Sequence, residues 1–426
     1  MVLKEENGNH PPIPEVGVKK LFIIATFMWL ISYFLHLPSI SSPSPIYSDV
    51  TSILLRTEII MADRLLVPYR DYKFEYPPIV AMMFMVVNAL LLLIPPHEIA
   101  MRLFLGYTIM SVLVYVHAIG TVYVLSRLVP YAGRRNIHIL LYFVLMPSFI
   151  IYTNYNWDLV GIFYALLGLY LFIRGKRVIS FVLFGLAAAG KIIPAIVALA
   201  AVSQIYVEKI GELRTRGVNK IGYLDIARAL IYSMSYLAIT IMIFILLNLP
   251  FIILCPTGWY KGLIMHHAGW YIECSWLVWI ELTPFSSLAK SIGMGLVVFS
   301  TVYIFSTLTL ERIEKNERII HGSAALMSGF LFSTYVFTPQ MSLLLLPLLA
   351  LTPIDYTVVL VFDCLNAMII LSWFVCGDIY NILGISLEFG PLDPFSIPQI
   401  FATSRCIVLL MMLLRLIRML ESAHYN

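Results

Sequence analysis

A succession of apolar runs, each about as long as a membrane-crossing helix, constrains this chain more than any other feature. Hydrophobic residues make up 60% of the 426 positions and charged residues only 12%, whereas about 25% of an ordinary soluble domain is charged. A helix needs roughly 20 apolar residues to cross a hydrocarbon core of about 30 Å. The sequence therefore predicts an all-α, polytopic membrane protein that forms a single membrane-embedded domain over 1–426, and it excludes a soluble globular fold.

The apolar runs and the polar breaks between them predict about twelve spans. They lie at 20–37, 98–126, 137–152, 157–174, 178–190, 192–206, 225–254, 286–310, 322–338, 341–353, 354–375 and 399–418. A further apolar run at 79–94 lies between two proline pairs, and we expect it to dip into or lie along the outer leaflet. The polar stretch before the first run lacks the basic-then-apolar order of a cleaved signal peptide, so the first run is expected to stay as an anchor.

The distribution of lysine and arginine predicts which way the chain faces. If 79–94 does not cross, most of the 28 Lys and Arg residues fall on the side of the amino terminus. Loops rich in these residues are cytoplasmic. Both termini, the tail 1–19 and the end of 399–426, are therefore expected on the cytoplasmic side of the plasma membrane. The helical core 98–375 then separates two extracytoplasmic loops, 38–97 and 376–398, and the functional site is expected on that outer side.

The first outer loop contains the strongest catalytic candidate. Asp49 follows the first span at the boundary of water and lipid, where partial loss of water raises the pKa of a carboxylate and improves it as a base. The pattern also predicts an amphipathic interfacial helix over 51–66. On spacing alone, Asp49 could instead be the N-cap of that helix.

Charged and aromatic residues alternate further along the same loop. The run contains Tyr69, Arg70, Tyr72, Glu75 and Tyr76. Aromatic faces and carboxylate acceptors suit a sugar, so these residues are candidates for a sugar or acceptor pocket. The alternative is an ordinary interfacial aromatic belt.

Lys191 stands between the short predicted spans 178–190 and 192–206, after a run of small residues that favours close approach of another group. Spans this short rise only about 20 Å, so the turn is expected below the outer surface. An unpaired lysine at that depth costs roughly 2.5–3.5 kcal/mol. A lipid phosphate would offset this cost, and the alternative is a side chain that snorkels to the interface.

Other polar residues on the outer side extend the candidate site. Asn156 and Asp158 precede a span, where Asp158 could act in the site or cap the helix. His266 and His267 lie in the loop 255–285 and could neutralise a phosphate. Adjacent histidines do not normally converge on one metal ion, so no metal site is expected from them.

Two further positions and the cysteines complete the candidates. Glu273 lies in the same loop as the histidines, and Gln340 lies in a polar break between two short spans, which is tolerated at membrane depth only where it lines a cavity. Five cysteines without close pairs predict neither a disulfide framework nor a zinc site. Cys255 and Cys274 could bridge in an outer loop or remain unpaired.

The order of these motifs resembles the GT-C superfamily of polyprenyl-phosphate-sugar-dependent glycosyltransferases. The motifs are the Asp49 position, the run Phe74-Glu75-Tyr76-Pro77-Pro78, the Asn-x-x-Asp turn, and the turn containing Gly185, Ala188, Ala189, Lys191 and Pro194. The likeness covers about residues 20 to 340 and is closest to the alpha-mannosyltransferase-like glycosyltransferase family 87. Two positions depart from the pattern: a single Asp49 stands in place of an acidic pair, and Gly269-Trp270 stand where a basic residue is common.

The resemblance implies that Asp49 accepts the proton of an acceptor hydroxyl and that the donor is a dolichyl- or polyprenyl-phosphate sugar, most often mannose. The residues lead there separately, because nucleotide sugars are made in the cytoplasm and the outer loops contain no Asp-x-Asp pair and no Gly-rich phosphate cradle. An outer sugar transferase would therefore use a lipid carrier. We expect Lys191, assisted by His267 or His266, to bind its phosphate.

The expected partners are the lipid bilayer, a lipid-linked sugar donor and a glycan, lipid or protein acceptor, without nucleic acid. No cofactor is expected, although the sequence does not exclude a divalent metal. A transporter or flippase of lipid-linked sugars is the alternative function. It would place polar residues along a path through both leaflets, whereas the candidates here collect on one side and no inverted pair of broken helices is present.

Overall fold

Helix is the only extended regular structure in the part of the chain that the computed structural model describes, residues 15–38, 47–215, 222–310, 313–387 and 389–422. Two isolated β-bridges, Pro68 with Tyr72 and Glu273 with Val336, accompany the helices. An apolar run in hydrocarbon must satisfy its own backbone groups, and a helix does so within the segment. The predicted all-helical class is therefore confirmed. Parts of the predicted tail 1–19, outer loops 38–97 and 376–398, and carboxyl end lie outside the described residues.

Each of the twelve predicted spans contains helix, although several helix bounds differ from the expected ones. In chain order they are α1 Val18–Leu35, α2 Asp49–Arg56, α3 Pro78–Leu91, α4 Ile99–Leu128, α5 Asn136–Ile139, α6 Pro147–Tyr152, α7 Asp158–Ile173, α8 Arg177–Gly190, α9 Ala198–Thr215, α10 Tyr223–Leu254, α11 Pro256–Trp259, α12 His266–Gly269, α13 Ala289–Leu308, α14 Lys315–Ser333, α15 Ser342–Leu349, α16 Tyr356–Trp373, α17 Cys376–Ile382 and α18 Ile397–Ser422.

Seven helical segments of the described chain are long and apolar enough to cross a membrane. They are Val18–Leu35, Ile99–Ala132, Ile193–Thr215, Tyr223–Leu254, Ser286–Leu308, Tyr356–Trp373 and Ile397–Ser422. Four shorter apolar segments accompany them, among them α3, α7 and α8. The protein is therefore a membrane-embedded helical protein. The run predicted to lie in the outer leaflet forms α3, whose 14 residues rise about 21 Å and pack against α4, α8 and α10.

Two of the predicted helices are interrupted for identifiable local reasons. The amphipathic helix expected over 51–66 ends at Arg56, because Glu58 turns the chain through the left-handed region (φ 58°) and only a single 3-10 turn, Ile59–Met61, follows. That turn buries Ile59 and Ile60, which favours the reversal. The predicted span 137–152 is broken before Pro147, whose ring and missing N–H prevent a continuous helix.

The two loop cysteines settle one alternative left open by the sequence. Cys255 and Cys274 are both unbonded. Cys274 is buried, and the Cys255 thiol donates to the Tyr69 carbonyl oxygen at 3.2 Å. The two cysteines are therefore unpaired, and the disulfide alternative is wrong.

Candidate functional site

The start of α2 is fastened to the turn that precedes α7. The Asp49 amide donates to the Tyr155 carbonyl oxygen at 2.9 Å, and the Ser48 hydroxyl donates to the Asn154 carbonyl oxygen at 3.1 Å. Ser48 occupies the N-cap position of α2 and Asp49 is the first helical residue. The interpretation of Asp49 as the N-cap is therefore wrong, and its carboxylate is available to other partners.

The Asp49 carboxylate is oriented by Asn156. The Asn156 side-chain amide donates to Asp49 Oδ2 at 2.7 Å. The neighbouring Asn154 has a different task, since its side-chain amide exchanges hydrogen bonds with the Trp29 indole and the Trp29 carbonyl oxygen at 3.1 and 3.2 Å. Asn154 thus fixes this turn to α1. The fixed turn places the Asn156 side chain next to Asp49.

Lys191 has an internal partner that the sequence did not indicate. Its Nζ lies 2.8 Å from Asp158 Oδ1, with the Asp158 side chain fully buried and the Lys191 side chain 17% exposed. Asp158 is the first residue of α7, and Trp157 holds the N-cap position. Asp158 therefore acts as a counter-charge rather than as a cap. Lys191 does not simply snorkel, because its ammonium is held against this carboxylate.

Small residues allow α7 and α8 to meet at this pair. A Cβ atom at Gly190 would lie 2.9 Å from Val160 Cγ1, and one at Gly161 would lie 2.7 Å from Lys191 Cβ. Both distances are shorter than real Cβ contacts. Glycine at these two positions brings the carboxylate of α7 and the lysine after α8 within ion-pair distance.

Burial raises the pKa of the two loop carboxyl groups of the site, Asp49 and Glu273. Loss of water raises the pKa of Asp49 to about 6, against the lowering effects of hydrogen bonds from Tyr47 and Asn156 and of the Lys191 charge. Burial raises the pKa of Glu273 to about 7, and the negative charge of Asp49 raises it further. The two carboxyl groups are therefore close enough to sense each other, and Lys191 lies within the same electrostatic range.

The loop over residues 67–76 is held in one shape by its own side chains. Tyr69 adopts the left-handed region with φ 66°, and its hydroxyl donates to the Tyr76 carbonyl oxygen. The Val67 amide donates to Asp71 Oδ2 at 2.7 Å. The hydrogen bond from the Arg70 guanidinium, at 2.9 Å, holds the pKa of Asp71 well below its usual range.

Glu75 and Tyr76 leave this loop in different directions. Glu75 is buried and forms an ion pair with Arg56 at the end of α2. The Tyr76 ring packs edge-on against Trp157 at 4.4 Å and lies within electrostatic range of Asp49. Tyr76 therefore borders the candidate centre, whereas Glu75 ties the loop to α2.

The two adjacent histidines face different surroundings. His267 lies near Lys191 and Glu75, and partial burial followed by the Lys191 charge lowers its pKa. The His266 ring packs against Trp270 at 4.6 Å. Burial also lowers the pKa of His266, which the negative charge of Glu75 partly offsets.

Arg70, Tyr72 and His266 line a cavity in the outer loops. Its volume is about 690 Å³, and its lining consists of Tyr69, Arg70, Asp71, Tyr72, Lys73, Gly258, Lys261, Gly262, Met265 and His266. Asp49 and Lys191 are not part of this lining. The residues predicted as one sugar pocket are therefore divided between this cavity and the surroundings of Asp49.

Sequence reasoning missed Arg405, in the last predicted span. Its fully buried guanidinium donates to the carbonyl oxygens of Cys274 and Phe337 at 2.7 and 2.6 Å. The Phe337 amide in turn donates to the Glu273 carbonyl oxygen at 2.9 Å. Arg405 thus holds the backbone that carries Glu273. A lone arginine inside an apolar run is the signal that could have revealed it.

Gln340 lies apart from the Asp49 group. It is buried in the turn Pro339–Met341, next to the Pro339 carbonyl oxygen that accepts from Asn366 at 2.9 Å. Among the described contacts, none joins Gln340 to Asp49 or Lys191. Within the same described residues, no group of three or more His, Cys, Asp or Glu side chains is arranged to hold a metal ion.

Comparison with known proteins adds no relative. The sequence matches no protein-family model, and no curated protein is significantly similar to it. The likeness to the GT-C superfamily therefore rests on the order of the motifs, and any function must be argued from the geometry around Asp49.

Proposed function

We propose that the protein is a GT-C-type membrane glycosyltransferase that moves a sugar, mannose in the first instance, from a dolichyl- or polyprenyl-phosphate donor to an acceptor hydroxyl. In this proposal the chain crosses the plasma membrane about twelve times with both termini in the cytoplasm. The acceptor is a glycan, a lipid or a protein. The observation that carries the proposal is the Asp49 carboxylate, oriented by Asn156 beside the buried Lys191–Asp158 ion pair.

The geometry supports Asp49 as the general base. With a pKa of about 6, its carboxylate is mostly ionised at neutral pH and still basic enough to take a proton. As the acceptor oxygen bonds to the anomeric carbon, its proton passes to Asp49. The bond from that carbon to the phosphate oxygen breaks, and the phosphate departs with the electron pair. The Asn156 hydrogen bond directs the carboxylate throughout.

Lys191 is suited to the departing phosphate because its charge is already fixed in place. The Asp158 partner accounts for one side of the ammonium, and the partial exposure leaves the remainder open to an anion. His267 lies within electrostatic range of Lys191. Its Nδ1 donates to the Leu263 carbonyl oxygen at 2.8 Å, so its Nε2 donates to the same phosphate when the ring is protonated. Glu273, with a pKa of about 7, can exchange hydrogen bonds with sugar or acceptor hydroxyl groups.

Two of the buried arginines, Arg405 and Arg318, do not favour the transporter alternative. Arg405 is held by loop carbonyl oxygens. The Arg318 guanidinium donates to the Leu308 and Leu310 carbonyl oxygens at 2.8 and 2.7 Å. Both guanidinium groups are paired with backbone carbonyl oxygens, which is one of the ways in which a charge within a membrane protein is stabilised.

The test is sugar transfer by purified protein and its Asp49→Asn variant. Both are incubated with labelled dolichyl-phosphate mannose and a membrane extract as the source of acceptor. We expect the variant to lose at least about 100-fold in transfer, since a positioned base contributes roughly 10²–10⁴-fold. The matched control is Asp63→Asn, which makes the same change at an exposed position of the same loop. Normal turnover by Asp49→Asn would remove Asp49 from the mechanism.

The pH dependence of the same reaction separates a base from a structural carboxylate. Protonation of Asp49 below about pH 6 removes the acceptor for the proton, so kcat/KM is expected to fall about tenfold for each further pH unit. Residual activity of Asp49→Asn should lack this acid limb. Persistence of the limb in the variant would assign it to another group.

A further inference from the structure

The cavity lined by Arg70, Tyr72 and His266 carries an excess of positive charge. Arg70, Lys73 and Lys261 contribute positive groups to its lining, and Asp71 contributes the one carboxylate. Asp71 is already engaged by Arg70 at 2.9 Å and by Arg64 at 3.3 Å. Within the described chain, neither Lys73 nor Lys261 has a carboxylate at ion-pair distance. The cavity therefore presents two lysines whose charges are not offset locally.

Two polar groups of the lining residues have capacity for a ligand. The His266 Nε2 and the Tyr72 hydroxyl are buried, and neither has a hydrogen-bond partner among the described residues. Buried polar atoms are ordinarily paired. An anion in the cavity would supply acceptors for both groups.

Close backbone contacts at two glycines hold the two segments that line the cavity against each other. A Cβ atom at Gly258 would lie 1.9 Å from the Tyr69 carbonyl oxygen, and one at Gly262 would lie 2.1 Å from the Phe74 carbonyl oxygen. The segment 256–265 therefore lies directly on the loop 67–76. Since these contacts are made by backbone, the two segments that line the cavity are held together before a ligand binds, and binding requires little ordering of the backbone.

We propose that this cavity binds a phosphate group of a lipid at the outer leaflet, separately from the Lys191–Asp158 pair. A volume of about 690 Å³ accommodates a phosphate with an attached sugar or polyol, and ammonium groups bind phosphate as point charges. The cavity adjoins the candidate centre, since His266 lines it while the next residue, His267, lies near Lys191. Its role as a substrate subsite rests on the proposed function.

The phosphate could belong to the polyprenyl carrier or to a phospholipid acceptor, and the experiment has an arm for each. Full-length protein in a neutral detergent is titrated with polyprenyl phosphate or phosphatidylinositol, each against its phosphate-free counterpart, polyprenol or diacylglycerol. Binding is followed by native mass spectrometry. We expect one phosphorylated lipid to bind more tightly than its counterpart, with an affinity that falls as salt rises.

The variant Lys73→Ala/Lys261→Ala is expected to weaken that binding about tenfold, as the loss of two partly exposed charge contacts would. Lys73→Arg/Lys261→Arg should retain it because the charge is kept. Lys290→Ala is the matched control, since Lys290 stacks on Tyr335 outside the cavity. The lipid whose binding depends on the lysines identifies the source of the phosphate.

Equal binding of every lipid by the wild type and the double alanine variant would overturn the inference. Because Lys73 and Lys261 are exposed, the variants are expected to fold, and unchanged melting temperatures check this. The outcome is independent of catalysis: lysine-dependent binding without any sugar transfer would refute the proposed function alone, whereas normal transfer with lysine-independent binding would refute this inference alone.

Discussion

At the scale of single residues, every second side chain of one short turn contacts a different part of the candidate site. Asn154 faces α1, Asn156 faces the Asp49 carboxylate, and Asp158 faces the Lys191 ammonium. The turn therefore brings a base and a cation into one electrostatic neighbourhood. A buried ion pair of this kind is costly to break, because removal of one partner strands the other charge, at about 3–5 kcal/mol.

This cost predicts the behaviour of Lys191 variants. Lys191→Met strands the buried Asp158 carboxylate and is expected to lower folding stability by about 3–5 kcal/mol, measured as thermal unfolding in detergent. Lys191→Met/Asp158→Leu replaces the pair by apolar side chains and should recover most of that stability. Donor use should remain impaired in the double variant, seen as a higher KM for the lipid-linked sugar. A double variant with normal donor use would leave Lys191 with a structural role only.

At the scale of elements, two contacts place the outer loops over the helical core. The segment after α10 is pressed against the loop 67–76 by Gly258 and Gly262. The backbone that carries Glu273 is held from within by Arg405 of α18, whose guanidinium also stacks on the Phe337 ring at 3.5 Å. In both contacts the loop contributes backbone carbonyl oxygens. The positions of the loops therefore depend little on the side chains that the loops carry at these points.

The contact at Gly262 predicts that alanine destabilises this segment, whereas intrinsic helix preference predicts that alanine stabilises it. Ala is favoured over Gly in a helix by about 1 kcal/mol, so alanine alone should stabilise the segment. At Gly262 the added Cβ would meet the Phe74 carbonyl oxygen, and Gly262→Ala should instead release the loop. We expect faster proteolysis within 67–76 and reduced transfer. Gly269→Ala, where no atom lies within 4 Å of the new Cβ, is the control and should match the wild type.

At the scale of the whole molecule, the proposed topology depends on whether α3 crosses the membrane. Its 14 residues pack against α4, α8 and α10, and it is shorter than the hydrocarbon core is thick. If α3 stays in the outer leaflet, the residues on both of its sides face outward. The loop with Arg174, Lys176 and Arg177 then lies inside, in agreement with the positive-inside rule.

Single cysteines in a background without the five native ones test this topology. His97→Cys, after α3, and Thr283→Cys, at an exposed position of the loop before α13, should react with a membrane-impermeant maleimide in intact cells. Lys176→Cys should react only after permeabilisation. If α3 crossed the membrane, His97→Cys would instead be protected in intact cells, and the sidedness of the spans before Arg174 would have to be reassigned.

The sequence by itself determined the helical membrane class and the approximate positions of the long apolar helices, because a bilayer requires long apolar runs and each run is a local property of the chain. It also indicated Asp49, Lys191 and the small residues beside them. Only the tertiary structure decided their partners: Asp49 with Asn156, 107 positions away, Lys191 with Asp158, and Arg405 with the Cys274 carbonyl oxygen, 131 positions away. Such pairs depend on which helices pack together, and hydropathy does not encode that choice.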